Sequence, residues 1–383
     1  MAVPSRKISP WIDGVVLSLV FVALAVWSWR KCPDLTIDFG MQAYIPWQIT
    51  QGKHLYTDIA WKYGPFSQYL DAALFRLCGV SLTTLFVANL ANLALITTLL
   101  YRIFVQFTER WVTVVIGIVF LSVFGIAQYT WMGNWNYVTP YVPEAGHSVT
   151  LSLAALWGLT RYQTGLNLRW LWLSGTCFGL ICLTKIEAVV AVGGCLSVGL
   201  ALIAFIHQRT PRQVAGMLLH LGGATAVPIL LGVFLLWTRM PLATVVEGLL
   251  ANVTLTVKSD MANSRFYKKH MGTDDIAGNL GMMVRLFGGL LLVVAGGVGL
   301  ERVLGRQDKK QWLFRFLIFA GVSLLAVLRR KGAVCFGDAG KNHFTVGHRN
   351  LWFYSCHACR AFPDSRALVF GAGSASDHRL GAR

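Results

Sequence analysis

Between residues 11 and 328 the chain returns repeatedly to apolar runs, most of them about twenty residues long, separated by polar segments. Twenty helical residues rise ~30 Å, the thickness of a bilayer's hydrocarbon core. Inside that core every backbone amide and carbonyl needs a partner from the protein, which leaves helices and closed barrels as the available architectures. A barrel would be written in short segments of alternating polarity, and these runs do not alternate. The expected fold is an all-α polytopic membrane protein. Charge usage agrees: 13% of residues are charged, against about 25% in soluble domains.

Nine spans are predicted, at 11–29, 82–101, 111–131, 149–162, 170–183, 188–207, 214–237, 280–300 and 312–328. Arg6 and Lys7 precede the first, which ends in Trp-Ser-Trp and not in a small-residue cleavage site, so it reads as retained. The same side collects Arg102, Arg110, Arg161, Arg169 and the loops QRTPRQ (208–213) and ERVLGRQDKK (301–310). Short basic loops mark the cytoplasmic face. The chain is therefore expected in the cell (inner) membrane, multi-pass, with its N-terminus cytoplasmic and its first large loop outside. Net charge is +17, but it resides mostly in these loops. No basic stripe interleaved with stacking aromatics appears, so nucleic acid is not an expected partner.

The outer segments hold most of the acids. The first, 34–79, carries Asp34, Asp38, Asp58 and Asp71. Its stretch 66–78 is short and amphipathic and is predicted to lie as a helix in the membrane interface. A second outer segment is GNWNYVTPYVPEAGHS (133–148), a third the hairpin 184–187, and a fourth runs 239–278. Polar loops on a rigid apolar frame are where function concentrates.

Residues 329–383 break the pattern. They show no periodicity, hold four of the nine His and three of the eight Cys, and set nine Lys or Arg against three Asp. Cys356 and Cys359 form one isolated CxxC, a weak metal or redox signal. A one-nucleotide slip in the frame around 341–359 would write another apolar run. The expectation is a membrane domain over 1–328, truncated at its C-terminal side, followed by a frameshifted tail that takes no part in any site.

Several clusters present chemistry. Tyr56, Asp58, Lys62 and Tyr63 either contact a substrate, with Lys62 as a point charge for phosphate, or form a belt at headgroup level. Glu144 and His147 lie three apart and could share one sugar or one metal ion; the sequence does not require a metal. Asn136, Tyr137 and Tyr141 add groups suited to sugar hydroxyls. Lys185 and Glu187 sit at a turn between apolar helices, as site residues or as snorkelling charges. Arg265 and Lys268, in a basic run, would cover a bound phosphate or lie beside anionic headgroups. No glycine-rich phosphate loop follows a strand, so no nucleotide is expected.

The pattern Asp38-Phe39-Gly40, Ala43-Tyr44, Gly52, Tyr56-x-Asp58, Tyr63-Gly64-Pro65 and Leu74-Phe75-x-x-x-Gly79 resembles the first outer loop of GT-C glycosyltransferases. These include the protein O-mannosyltransferases and lipid A aminoarabinose transferases. Leu183-Thr184-Lys185 matches more loosely, and the resemblance covers roughly residues 10–210. Phe39 departs from it, standing where many relatives carry a second acid. The resemblance implies transfer of a sugar from a polyprenyl-phosphate donor to a glycan, lipid or protein acceptor on the outer face, by direct displacement with inversion. It implies Asp38 as general base and Lys185 as a contact for donor phosphate. Without it, Asp38 reads as the N-cap of a helix beginning near Gly40. Two alternatives share the substrate class: a lipid-linked saccharide flippase or transporter, and a surface-polysaccharide ligase or polymerase.

Overall fold

The computed structural model describes residues 10–29, 39–126, 136–258, 268 and 272–304. Asp38, Arg265, the predicted ninth span and the tail lie outside the described residues. The chain divides into two compact units, one over Met1–Thr256 and one beginning at Val257.

In the first unit the helices are α1 (Pro10–Ser28), α2 (Phe39–Thr50), α3 (Phe66–Cys78), α4 (Leu82–Phe104), α5 (Arg110–Val119), α6 (Pro143–Gly165), α7 (Leu168–Cys182), α8 (Ile186–Ile206), α9 (Pro211–Trp237) and α10 (Leu242–Lys258), whose last residues pass the boundary. A π-helical stretch, Phe120–Gly125, continues α5. The second unit contributes α11 (Ile276–Leu304). Among the described residues there is no strand, only an isolated bridge between Leu55 and Ile59.

Among the described residues, four helices are long and apolar enough to cross a membrane: Trp11–Ser28, Leu82–Phe104, Ile186–Ile206 and Pro211–Trp237. Shorter apolar helices occupy Arg110–Gly125, Leu168–Cys182 and Leu242–Ala251. Large apolar side chains stand exposed along the long helices, as at Leu19, Val190, Phe205 and Leu219. A lipid-facing surface accounts for them, since soluble proteins rarely expose contiguous apolar area on this scale.

Local chemistry fixes the helix ends. Ser81 caps α4, its hydroxyl accepting from the Thr84 amide at 3.0 Å. Thr210 and Gln213 form a reciprocal capping box at α9, with Pro211 in the first turn. Asn167 caps α7 through the Arg169 amide at 3.1 Å. α6 begins six residues before the predicted span at 149. Pro143 opens it and Glu144 stands in its first turn, both favourable at a helix start. The segment read as a loop to residue 148 is therefore helical from 143.

α7 lies at the centre, packed on α6 and most extensively on α9. A Cβ on Gly179 would overlap the Thr225 carbonyl and Pro228 of α9, so this close crossing needs the small residue. The main core joins Ala155, Leu159, Leu171, Ile181, Leu196 and Met217 from α6 to α9. At one end, Asp13 of α1 accepts from the Tyr101 hydroxyl at 2.6 Å and pairs with Arg110 at 2.7 Å, tying α1, α4 and α5 together.

Candidate functional site

The stretch between α2 and α3 folds over the α7–α8 turn. The Gly64 amide donates to the Thr184 carbonyl at 2.8 Å and the Phe66 amide to the Leu183 carbonyl at 3.0 Å. A Cβ at residue 64 would sit on the Leu183 carbonyl, so this backbone approach requires glycine. The docking carries Tyr63 to Lys185. The Lys185 Nζ lies 5.6 Å from the Tyr63 ring centroid, and the Lys62 Nζ lies 5.1 Å from it. One ring thus neighbours two cations supplied by separate parts of the chain. Lys185 also reaches Glu187 Oε1 at 3.9 Å, a long contact to a carboxylate that is 63% exposed and contributes little.

The other residues of this cluster are tied into the loop. The Tyr56 hydroxyl donates to the Tyr63 carbonyl at 2.9 Å, and its ring rests on Gly248 of α10. Tyr56 holds a φ of 74°, uncommon for a side chain of this size. Asp58 accepts from the His54 amide at 2.8 Å and closes its own turn. Burial raises both the Tyr56 and Tyr63 phenols above their ordinary range; Glu144 adds for Tyr56, and Tyr141, Glu187 and Glu144 add for Tyr63. Both stay protonated at neutral pH.

Beneath this loop lies a polar interior. The stripe of α3 that faces protein is Ser67, Gln68, Asp71, Ala72 and Phe75; Leu77 of the same helix is 82% exposed. Gln68 Nε2 and the Trp61 indole both donate to Glu144 Oε1, at 3.1 and 3.2 Å. Gln42 Nε2 donates to Asp71 Oδ2 at 3.3 Å, and Asn89 Nδ2 donates to the Val138 carbonyl at 2.9 Å. Asn136 holds that turn, its Oδ1 accepting from the Val138 and Thr139 amides at 2.9 and 2.7 Å. These bonds make two neighbouring groups, Glu144 with Trp61 and Gln68, and Gln42 with Asp71 and Asn89, the second reaching the turn at Val138.

Both carboxyls lie outside the apolar spans and are fully buried. Burial pushes Asp71 up to about 7, against the Gln42 donor. Burial likewise pushes Glu144 up to about 7, against its own backbone amide and the Gln68 and Trp61 donors, while charge on Asp71 adds to the rise. His147 is half-buried, yet its Nδ1 is cut off from solvent and meets no partner among the described residues. Its ring stands edge-on to Phe66 at 6.2 Å, and burial lowers its pKa to about 4. Asp71 Oδ1, Glu144 Oε2, Gln68 Oε1 and Ser67 Oγ are also buried without a partner among the described residues. Buried polar atoms of this kind need an explanation such as internal water or a bound polar group.

Glu144 and His147 thus lie on one helix turn, but Glu144 faces Trp61 and Gln68. Among the described residues no group of three His, Cys, Asp or Glu side chains is placed to hold a metal ion. Lys268 belongs to the second unit, where its carbonyl accepts from the Thr273 amide at 2.9 Å. Sequence reasoning passed over Gln42, Gln68, Asp71 and Asn89 as site residues. The one signal available was the Gln68–Asp71 spacing, which puts both on one face of a short helix.

Comparisons of the chain with family models, with curated proteins and with solved structures return no match.

Proposed function

We propose that the chain is a multi-pass cell-membrane glycosyltransferase of GT-C type, with about nine spans, its N-terminus cytoplasmic and its first large loop outside. It would move a sugar from a polyprenyl-phosphate donor to an acceptor on the outer face. The observation that carries this reading is the pair Lys62 and Lys185, 5.1 and 5.6 Å from the Tyr63 ring centroid and brought there by the Gly64–Thr184 and Phe66–Leu183 backbone bonds. Two ammonium groups at the end of an apolar bundle suit a phosphate whose lipid tail occupies the bilayer.

In the proposed step the acceptor oxygen attacks the anomeric carbon as the bond from that carbon to the phosphate oxygen breaks. The polyprenyl phosphate leaves with the electron pair, the acceptor proton passes to Asp38, and configuration inverts. The lysines offset charge that builds on the leaving phosphate. In this reading Tyr56, Asp58, Glu144 and His147 would serve as further substrate contacts.

Membranes holding the chain, given labelled polyprenyl-phosphate sugars, should transfer label, and Asp38→Asn should abolish transfer with protein level unchanged. Transfer unaffected by that change would remove Asp38 from the mechanism. Label that crosses the bilayer still joined to its carrier would replace transfer by transport.

A further inference from the structure

At the far end of the same bundle, Arg102 and Val105 close α4, Gln106 follows it, and Trp157 and Arg161 stand near the end of α6 beside Trp170 of α7. These six line an open pocket of about 210 Å³, far more than the ~10–15 Å³ that a single water needs. Arg161 lies 17 residues beyond Glu144 on one helix, so the pocket is about 25 Å from the polar interior described above. That distance approaches the thickness of a bilayer's hydrocarbon core, which puts the pocket at the opposite headgroup level.

Its walls are rigid and cationic. The Trp157 and Trp170 rings meet edge to face at 5.1 Å. The guanidinium groups of Arg161 and Arg169 lie 5.5 and 5.0 Å from the Trp170 ring centroid, so the ring holds both planar forks in place. Gln106 links α4 to α6, its Nε2 donating to the Arg102 carbonyl at 2.7 Å and reaching Thr160 Oγ1 at 3.4 Å. The described ion pairs are Arg110–Asp13 and Lys185–Glu187; Arg102, Arg161 and Arg169 join neither. Two guanidinium groups, Arg102 and Arg161, line the pocket and a third, Arg169, lies on its Trp170 wall, and among the described residues none of the three has a carboxylate in salt-bridge contact. Arg102 and Arg161 are exposed yet share one cavity with an aromatic wall.

We propose that this pocket binds the phosphate of an anionic lipid headgroup. A planar fork matches phosphate oxygens in bidentate geometry. Tryptophan favours the headgroup level, and basic pockets between membrane helices favour anionic lipid. The proposal rests on none of the transfer chemistry and stands if that reading fails.

The test uses the full chain in nanodiscs of phosphatidylcholine containing labelled phosphatidylglycerol. The chain should retain the anionic lipid over phosphatidylcholine, and Arg102→Gln with Arg161→Gln should weaken retention about tenfold or more, the scale of charge-assisted hydrogen bonds. Arg212→Gln, an exposed arginine at the head of α9, should change nothing. If the double variant elutes as aggregate, Arg161→Lys decides: it keeps the charge, loses the fork, and should weaken retention several-fold. Equal retention by the folded variants, or an equal loss in Arg212→Gln, overturns the proposal. Displacement of the lipid by equimolar inorganic phosphate would assign the pocket to a free anion and overturn the lipid.

Discussion

Gly64 and Thr184 are joined backbone to backbone, amide to carbonyl at 2.8 Å, across 120 residues of sequence. The bond fixes the loop before α3 against the turn between α7 and α8. Everything placed near Lys185 depends on it.

Replacing Gly64 with alanine should therefore act at two levels. The new methyl group meets the Leu183 carbonyl, and overpacking of this kind costs about 1–3 kcal/mol. The melting temperature in detergent should fall, and donor-dependent transfer should fall further, because Tyr63 and Lys62 leave Lys185. A variant with wild-type stability and transfer would mean that the docking is dispensable.

The two lysines should differ. Lys185 has a side chain only 23% exposed, whereas Lys62 is exposed and better screened. Lys185→Gln should raise the KM for the polyprenyl-phosphate donor about tenfold, and Lys62→Gln by less. Steady-state kinetics at varied donor concentration reads both. An unchanged KM with Lys185→Gln would take that residue out of donor binding.

The buried carboxyls make stability depend on pH in an unusual direction. Asp71 and Glu144 rise from 3.8 and 4.5 to about 7 on folding. The folded state then binds the extra protons, so their stabilisation is complete at low pH and is lost as pH rises towards about 7. His147 falls from 6.5 to about 4, so its contribution is present above 6.5 and is lost as pH falls through 4. Two descending contributions outweigh one ascending, and the melting temperature should drop between about pH 4.5 and 7. Glu144→Gln should flatten the profile over most of that window; Asp71→Asn with Glu144→Gln should reverse it. Thermal unfolding across pH checks all three, and a wild-type profile that rises through the window would contradict the assignment.

The ion pairs should rank by burial. Asp13 has a side chain 9% exposed and meets Arg110 at 2.7 Å, whereas Glu187 is 63% exposed and meets Lys185 at 3.9 Å. Asp13→Ala removes the ion pair to Arg110 and the acceptor of the Tyr101 hydroxyl and should lower the melting temperature clearly; Glu187→Ala should leave it nearly unchanged. Equal effects would contradict this ranking.

The helices were legible where the sequence is punctuated. The stretch 66–78 is bounded by Pro65 and Gly79 and folds as α3 over those same residues. The runs at 11–29 and 214–237 correspond to α1 and α9 within a few residues. The start of α6 was missed because its first turn is polar, and hydropathy registers a helix only where it enters the apolar phase. Pro143 followed by Glu144 was the better signal. The amphipathic pattern predicts α3 in the membrane interface, and the structure turns its polar stripe inward, Asp71 to Gln42 and Gln68 to Glu144. A polar stripe looks the same whether water or protein satisfies it. The partners lie 29 and 76 residues away, and nothing in one sequence joins residues at such separations. Lys185 was legible as a charge at a turn; its meeting with Tyr63 was not, because Gly64 reads as an ordinary turn residue until its contact is seen.

α7 has 15 residues and so reaches about 22 Å, short of a hydrocarbon core of about 30 Å. Were α7 to cross a bilayer, local thinning of the lipid is one way to match a helix of that length. Lipid thinned beside the Thr184–Glu187 turn would let the tail of the proposed donor meet Lys185 without having to climb to the full height of the leaflet.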